Sequence, residues 1–225
     1  MKDKIALFCD IDKDAVIEVM DAQSIYQVPL MLEEQGMAEI VSTHLNLPQR
    51  EPYLEEWKRA VRTYYNPKKS IRVAVVGKYV ELKDAYLSVA EALCHGGLAH
   101  ETSVQISWVD AEGLEEENPD DVFRGVQGIL VPGGFGSRGI AGKIKAAGYA
   151  REKRIPFLGI CLGMQCAVIE FARAVCGLKD ANSTEFDPQT PHAIVSLLPG
   201  QENQDCLGGT MRLGKYPCKL VPDSK

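Results

Sequence analysis

From Ile71 to Val175 the chain alternates short, almost wholly apolar runs with longer stretches whose apolar residues recur every three or four positions. No other feature restricts the fold as strongly. Ile71-Arg72-Val73-Ala74-Val75-Val76 predicts a strand that ends at Gly77-Lys78, and from Asp84 a helical pattern sets Val89, Ala92 and Leu93 on one face. Val104 to Val109 predicts a second strand, ending at Asp110, and Pro119-Asp120-Asp121 the opening turn of a short helix. Gly128-Ile129-Leu130-Val131 reads as a third strand and Ile155 to Ile160 as a fourth. Helices are expected from Ile140 to about Lys153 and from Met164 to about Val175. Strands apolar on both faces, alternating with amphipathic helices, predict a parallel sheet covered on both sides. Residues 71–225 therefore read as a doubly wound, mostly parallel α/β domain. Ligands of such sheets sit outside the carboxyl ends of the strands, where the unusual loops of this chain fall.

A polar seam, Asn66-Pro67-Lys68-Lys69-Ser70, separates this domain from what precedes it. In residues 1–66, strand-like segments begin at Ile5 and run from Val16 to Val19. Helical patterns follow from Tyr26 to Glu34, interrupted by Pro29, then from Ala38 to Leu45 and Leu54 to Tyr65. This N-terminal partial α/β segment is too small to bury a comfortable core by itself. It reads as the tail of a larger domain, with a helical accessory packed on the main domain as the alternative.

Composition narrows the partners. The 25 basic residues against 31 acidic ones leave a net charge of −6, which argues against nucleic acid as the main partner. No apolar run approaches the roughly 18–20 residues needed to cross a bilayer, so no membrane association is expected. Ile5 to Cys9 is too short for a signal-peptide core. Seven cysteines without a secretion signal predict reduced thiols and a cytoplasmic protein. No C-x-x-C occurs, which makes zinc an unfavourable expectation.

The chemistry concentrates at Gly159-Ile160-Cys161-Leu162-Gly163, which has the G-x-nucleophile-x-G form between an expected strand and an expected helix. Flanking glycines let a strand reverse sharply into a helix and leave Cys161 strained and exposed. The helix then points its positive end at the sulfur, favouring thiolate, and the Leu162 N–H is free to meet an oxyanion. A small cysteine sealed in a tight turn is the other reading of this pentapeptide. Cys166 and Cys176 are expected to be core thiols on the following helix, while Cys9, Cys94, Cys206 and Cys218 offer no site. Pro132-Gly133-Gly134-Phe135-Gly136 permits close backbone approach to a ligand, as an oxyanion hole requires, although a plain structural turn has the same form. Gly77-Lys78 fails the Walker phosphate-loop pattern, since Tyr79 stands where Ser or Thr belongs and Arg72 where the first glycine does.

Taken with Asn182-Ser183-Thr184-Glu185-Phe186, Gly208-Gly209-Thr210-Met211-Arg212-Leu213-Gly214 and the strand end Val76 to Tyr79, these motifs resemble the CTP synthase family. More broadly they resemble its flavodoxin-like, class I (triad-type) glutamine amidotransferase domain. Residues 4–34 are similar to the closing part of that family's amidoligase domain. The resemblance implies hydrolysis of L-glutamine at a cysteine and transfer of the ammonia to an amidoligase domain. There UTP is aminated to CTP with ATP and Mg2+. It implies Cys161 as nucleophile, with Gly134 and Leu162 as oxyanion donors. Leu162, Gly163, Met164 and Gln165 match the glutamine-binding run. Glu185 and Arg212 match the partners of the substrate's α-ammonium and α-carboxylate, and the signs agree with the chemistry of a zwitterion. Lys4 and Asp21 match positions near the pyrimidine nucleotide and the ATP base, although Met20 departs from the lysine common before that acid. No cofactor or metal is expected within the chain itself. GTP as effector and a homotetramer complete what the family implies.

Two departures stand beside these matches. The family's His-x-Glu pair belongs downstream of Arg212, yet none of His44, His95, His100 or His192 is followed two positions later by Glu. The phosphate-gripping loop and metal carboxylates of the amidoligase domain are also missing. The expectation is a piece of the enzyme with the nucleophile and glutamine pocket but without the full catalytic set. A non-catalytic glutamine-binding or assembly module and another cysteine γ-glutamyl hydrolase are the alternatives.

Overall fold

The computed structural model describes residues 1–197 together with Val221 and Pro222. The chain divides into two compact units, one built from Met1–Ser70 and Cys94–Ser103 and the other from Ile71–Leu93 and the chain from Val104 onward.

The first unit is helical where strands were expected. Lys2–Cys9 forms helix α1, closed by Asp10 in the left-handed conformation with its N–H on the Ala6 carbonyl. The strand expectation at Ile5 is thus corrected. A continuous apolar run does not distinguish strand from buried helix, and a helix satisfies its own backbone groups without the neighbour a strand needs. Val16 to Val19 is likewise no strand, being irregular chain after a 3-10 turn at Lys13–Ala15. Three further helices follow the expected patterns: α2 (Val28–Glu33), α3 (Met37–His44) and α4 (Glu55–Tyr65). Pro29 does not interrupt α2 but sits in its first turn, where its missing N–H goes unneeded. Tyr26 organises this region. Its carbonyl accepts from Trp57 Nε1 at 2.7 Å, its hydroxyl lies 3.0 Å from His95 Nε2, and its ring tilts against Tyr64.

The second unit bears out the doubly wound, mostly parallel expectation. Its strands are β1 (Lys69–Gly77), β2 (Thr102–Asp110), β3 (Gly128–Val131) and β4 (Phe157–Gly159), in the order β2-β1-β3-β4. β1 pairs parallel with β3, and β3 parallel with β4, with Val131 opposite Gly159. The helices between them are α5 (Leu87–Ala99), the short α6 (Gly113–Glu116) and α7 (Pro119–Val122), α8 (Ile140–Lys153) and α9 (Leu162–Ala174). A small parallel pair, β5 (Ala181–Ser183) and β6 (His192–Val195), lies beyond.

Alternation along β1 shows why both faces are covered. Ala74 and Val76 join Leu114, Phe123, Ala146 and Ala150 in one cluster, while Val73 and Val75 join Leu130, Val89, Leu93 and Trp108 in the other. The strand order reverses between β1 and β3, so their carboxyl ends open the crevice where such sheets bind ligands.

Candidate active site

Three strand ends meet at this crevice. β4 continues its pairing by one bond, Ile160 N–H to the Val131 carbonyl at 2.9 Å, and then the chain reverses. The reversal falls on Cys161, whose backbone sits at φ 52°, ψ −108°, outside the regions L-residues favour. Gly163 N–H closes back on the Ile160 carbonyl at 2.9 Å, and Gln165 N–H on that of Cys161 at 3.1 Å, so α9 begins within one residue of the cysteine. A Cβ at Gly159 would stand 2.5 Å from the Gly163 carbonyl carbon, and one at Gly163 would stand 2.0 Å from the Val131 oxygen. Only glycines permit this approach of helix to sheet. Cys161 is exposed and caps α9, so the helix directs its first N–H groups and positive end toward it.

The glycine turn after β3 lies alongside. A Cβ placed on Gly133 would be 3.4 Å from that of Cys161, and one on Gly134 would be 3.5 Å from Leu162 Cδ2. Glu185 reaches the same turn, its Oε1 accepting from Gly136 N–H at 3.2 Å. Its own N–H is held by the buried Ser183 hydroxyl at the end of β5.

The sequence-predicted residues are therefore partly brought together. Cys161, Leu162, Gly163, Gly134 and Glu185 cluster at the turn and the elbow. Met164 is exposed and Gln165 half-buried in the first turn of α9. Arg212 lies outside the described residues, as do Cys206 and Cys218. Lys4 lies in the middle of α1 and Asp21 in irregular chain, both exposed, with no hydrogen bond or ion pair joining them. Among the described residues no group of three or more His, Cys, Asp or Glu could hold a metal ion, and no helix is long and apolar enough to cross a membrane. The two helix cysteines part company. Cys166 is sealed in the core, and burial pushes its thiol up to about 11, which leaves it protonated and inert. Cys176 is exposed, correcting the expectation of a core thiol: α9 ends at Ala174, so the helical period no longer applies to it.

One lysine beside the turn escaped sequence reasoning. Lys143 is 1 % exposed, and its Nζ would be 3.7 Å from a Cβ on Gly134. Its signal was a charge in phase with Ile140, Ala147 and Ala150 on the buried face of α8. Burial, opposed by Cys166 and reinforced by Lys78, holds its pKa below the ordinary lysine value. The folded state thus binds this proton less readily than the unfolded state does. Lys143 accordingly costs stability in full below its folded pKa, and the cost vanishes as pH rises to its unfolded value near 10.4. Lys143→Met is expected to raise the stability of the fold at pH 7, since it removes a buried charge. In urea unfolding, the gap between the two proteins should narrow as pH approaches 10.

The family model for glutamine amidotransferase class-I matches residues 81–225. The chain belongs to the class-I glutamine amidotransferases. A second model, CTP synthase N-terminus, matches residues 1–47. The chain is 60 % identical over 223 residues to the CTP synthase of Carboxydothermus hydrogenoformans, a match covering 99 % of this chain and 42 % of that protein. To the CTP synthase of Methanocaldococcus jannaschii it is 56 % identical, covering 98 % and 42 % respectively. The chain thus spans about two-fifths of the length of these relatives. Among solved structures it is similar to the glutaminase domain of Trypanosoma brucei CTPS with bound acivicin, at 43 % identity and a TM-score of 0.54. That match covers 60 % of this chain and 52 % of the other.

Proposed function

We propose that this amidotransferase chain carries the glutamine-hydrolysing centre of a CTP synthase, with Cys161 as nucleophile. The observation that supports it most is the exposed Cys161 on a strained elbow, its Cβ beside a glycine turn that also holds Glu185. The Cys161 thiolate adds to the side-chain amide carbon of L-glutamine, forming a C–S bond and moving the carbonyl electron pair onto oxygen. The N–H groups of Gly134 and Leu162 take that oxyanion. Collapse restores the carbonyl, breaks the C–N bond and releases ammonia once the nitrogen has gained a proton. Water then hydrolyses the γ-glutamyl thioester to glutamate and frees the thiolate. Leu162, Gly163, Met164 and Gln165 line the glutamine. Glu185 takes its α-ammonium in place of the Gly136 N–H, and Arg212 takes its α-carboxylate. The acid that protonates the leaving nitrogen is assigned to none of the four histidines of this sequence.

At the scale of the whole protein, the ammonia serves ATP-dependent amination of UTP to CTP in the cytoplasm. We assign residues 1–66 to the end of the amidoligase domain and its linker helices, and residues 71–225 to the amidotransferase domain. Lys4 and Asp21 are the nucleotide contacts, GTP is the effector, and the assembly is a homotetramer. The match of residues 1–47 to the CTP synthase N-terminus supports this assignment.

Treatment with 6-diazo-5-oxo-L-norleucine followed by peptide mass spectrometry tests the central claim. One adduct is expected, on Cys161, and excess glutamine should slow its formation. An adduct on Cys94 or Cys218 instead would overturn the reading.

A further inference from the structure

The Gly77-Lys78 strand end has no part in the chemistry above, yet Lys78 reaches into it. β1 and β3 are parallel neighbours, so Lys78 leaves the sheet at the same edge as the glycine turn. Its base is fixed. The Tyr86 hydroxyl accepts from the N–H of Lys78 at 3.0 Å and of Tyr79 at 3.3 Å, and the Gly77 carbonyl accepts from Ala111 N–H at 2.9 Å. Tyr86 is itself buried and stacks on Trp108. From this base the Lys78 ammonium donates to the Phe135 carbonyl, and its Cε would be 3.8 Å from a Cβ on Gly134.

Glycine peptides swing easily because nothing beyond Cα packs to hold them. Among the described residues, the turn from Gly133 to Gly136 makes two hydrogen bonds to other elements. One is Gly136 N–H to Glu185, and the other is the Phe135 carbonyl to Lys78. The first is the bond that the substrate's α-ammonium displaces, which leaves Lys78 to set the turn during reaction.

We propose that Lys78 is a positioning residue for glutamine hydrolysis, holding the glycine turn through the Phe135 carbonyl so that the Gly134 N–H stays aimed at the oxyanion. This rests on the glutaminase reading. Lys78 acts through the turn and not on the sulfur, so its removal impairs the reaction step more than substrate capture and leaves the intrinsic reactivity of Cys161 alone. The buried Lys143 ammonium stands on the same glycine and cannot substitute, since among the described residues it makes no hydrogen bond to the turn.

Two electrophiles separate these effects on the full chain. 6-Diazo-5-oxo-L-norleucine presents a ketone oxygen where the amide oxygen would sit, whereas iodoacetamide needs only a thiolate. For Lys78→Met, the limiting inactivation rate by the diazo ketone is expected to fall about 10–100-fold, somewhat less than the loss of an oxyanion donor itself. Its half-saturating concentration should stay within about twofold, as should iodoacetamide alkylation of Cys161. Lys78→Arg, which keeps a cationic donor, should recover most of the rate. If Lys78→Met folds poorly, Lys78→Gln carries the same expectation, because its amide is too short to reach Phe135. Unchanged diazo-ketone inactivation in a folded variant overturns the proposal. So does a parallel slowing of both reagents, which would mark a merely structural role. A wild-type chain left unmodified at Cys161 by the diazo ketone overturns the glutaminase reading, and this proposal with it.

Discussion

Replacing Cys161 by glycine is expected to abolish adduct formation with 6-diazo-5-oxo-L-norleucine and, at the same time, to stabilise the protein. The elbow holds this residue at φ 52°, ψ −108°, a conformation that brings a Cβ into conflict with its own backbone. Residues forced into such regions cost of order 1–3 kcal/mol. Glycine removes the conflict, while its extra freedom in the unfolded chain returns about 0.4–1 kcal/mol. The sulfur is exposed, so little burial is lost with it. The net expectation is a gain of about 1 kcal/mol in chemical denaturation. Cys161→Ala is the control: it loses the adduct equally but keeps the Cβ, so its stability should stay within about 0.5 kcal/mol of the parent. Equal stabilities for the glycine and alanine variants would mean that the elbow stores no strain. The expected split is the signature of a nucleophile held against the preference of its backbone.

Gly163→Ala should do the reverse, destabilising the fold around an unaltered sulfur. The added methyl carbon would stand 2.0 Å from the Val131 oxygen and 2.8 Å from its carbonyl carbon. Val131 belongs to β3, which is paired on both sides by β1 and β4 and packed on both faces, so the strand cannot yield. The helix must retreat instead, and α9 carries with it Leu162, Cys166 and Ile169 from the core. Overpacking of this kind costs about 3 kcal/mol or more when the neighbour is backbone. Retreat of α9 also pulls the Leu162 N–H away from the glycine turn, and misplacement by about 1 Å costs on the order of 100-fold in rate. A lowered denaturation midpoint together with at least that loss in diazo-ketone labelling is the expected result. Wild-type midpoint and labelling would show that helix and strand are not packed as closely as the glycine implies.

Much of this molecule was legible in its residues. The apolar runs gave β3 and α8 to the residue and β1, β4 and α9 to within two residues at each end, because strands and helices that cover one core carry its periodicity in their apolar residues. Gly159-Ile160-Cys161-Leu162-Gly163 announced the elbow for a similar reason: a sharp reversal with an exposed side chain needs glycine where helix and sheet touch. The same signals failed at two short runs of residues 1–66, Ile5 to Cys9 and Val16 to Val19. Ile5 to Cys9 satisfies a strand and a helix equally, and its backbone settled into α1, which needs no neighbouring strand. Cys176 looked like a core thiol only because the period of α9 was extended two residues past its end.

The parallel sheet and the sharp turn at Cys161 follow from local order, since periodicity and glycine placement act over a few residues. The company those residues keep was decided by tertiary structure. Nothing nearby in the chain tells Lys78 that it will grip Phe135, Lys143 that it will be buried behind Gly134, or Glu185 that Gly136 will hold it. These contacts span long stretches of chain and exist because parallel pairing carries the ends of β1, β3 and β4 to one edge. Charge that is ordinary along the sequence becomes specific there, where the Lys78 ammonium meets the Phe135 carbonyl and the Glu185 carboxylate meets the Gly136 N–H.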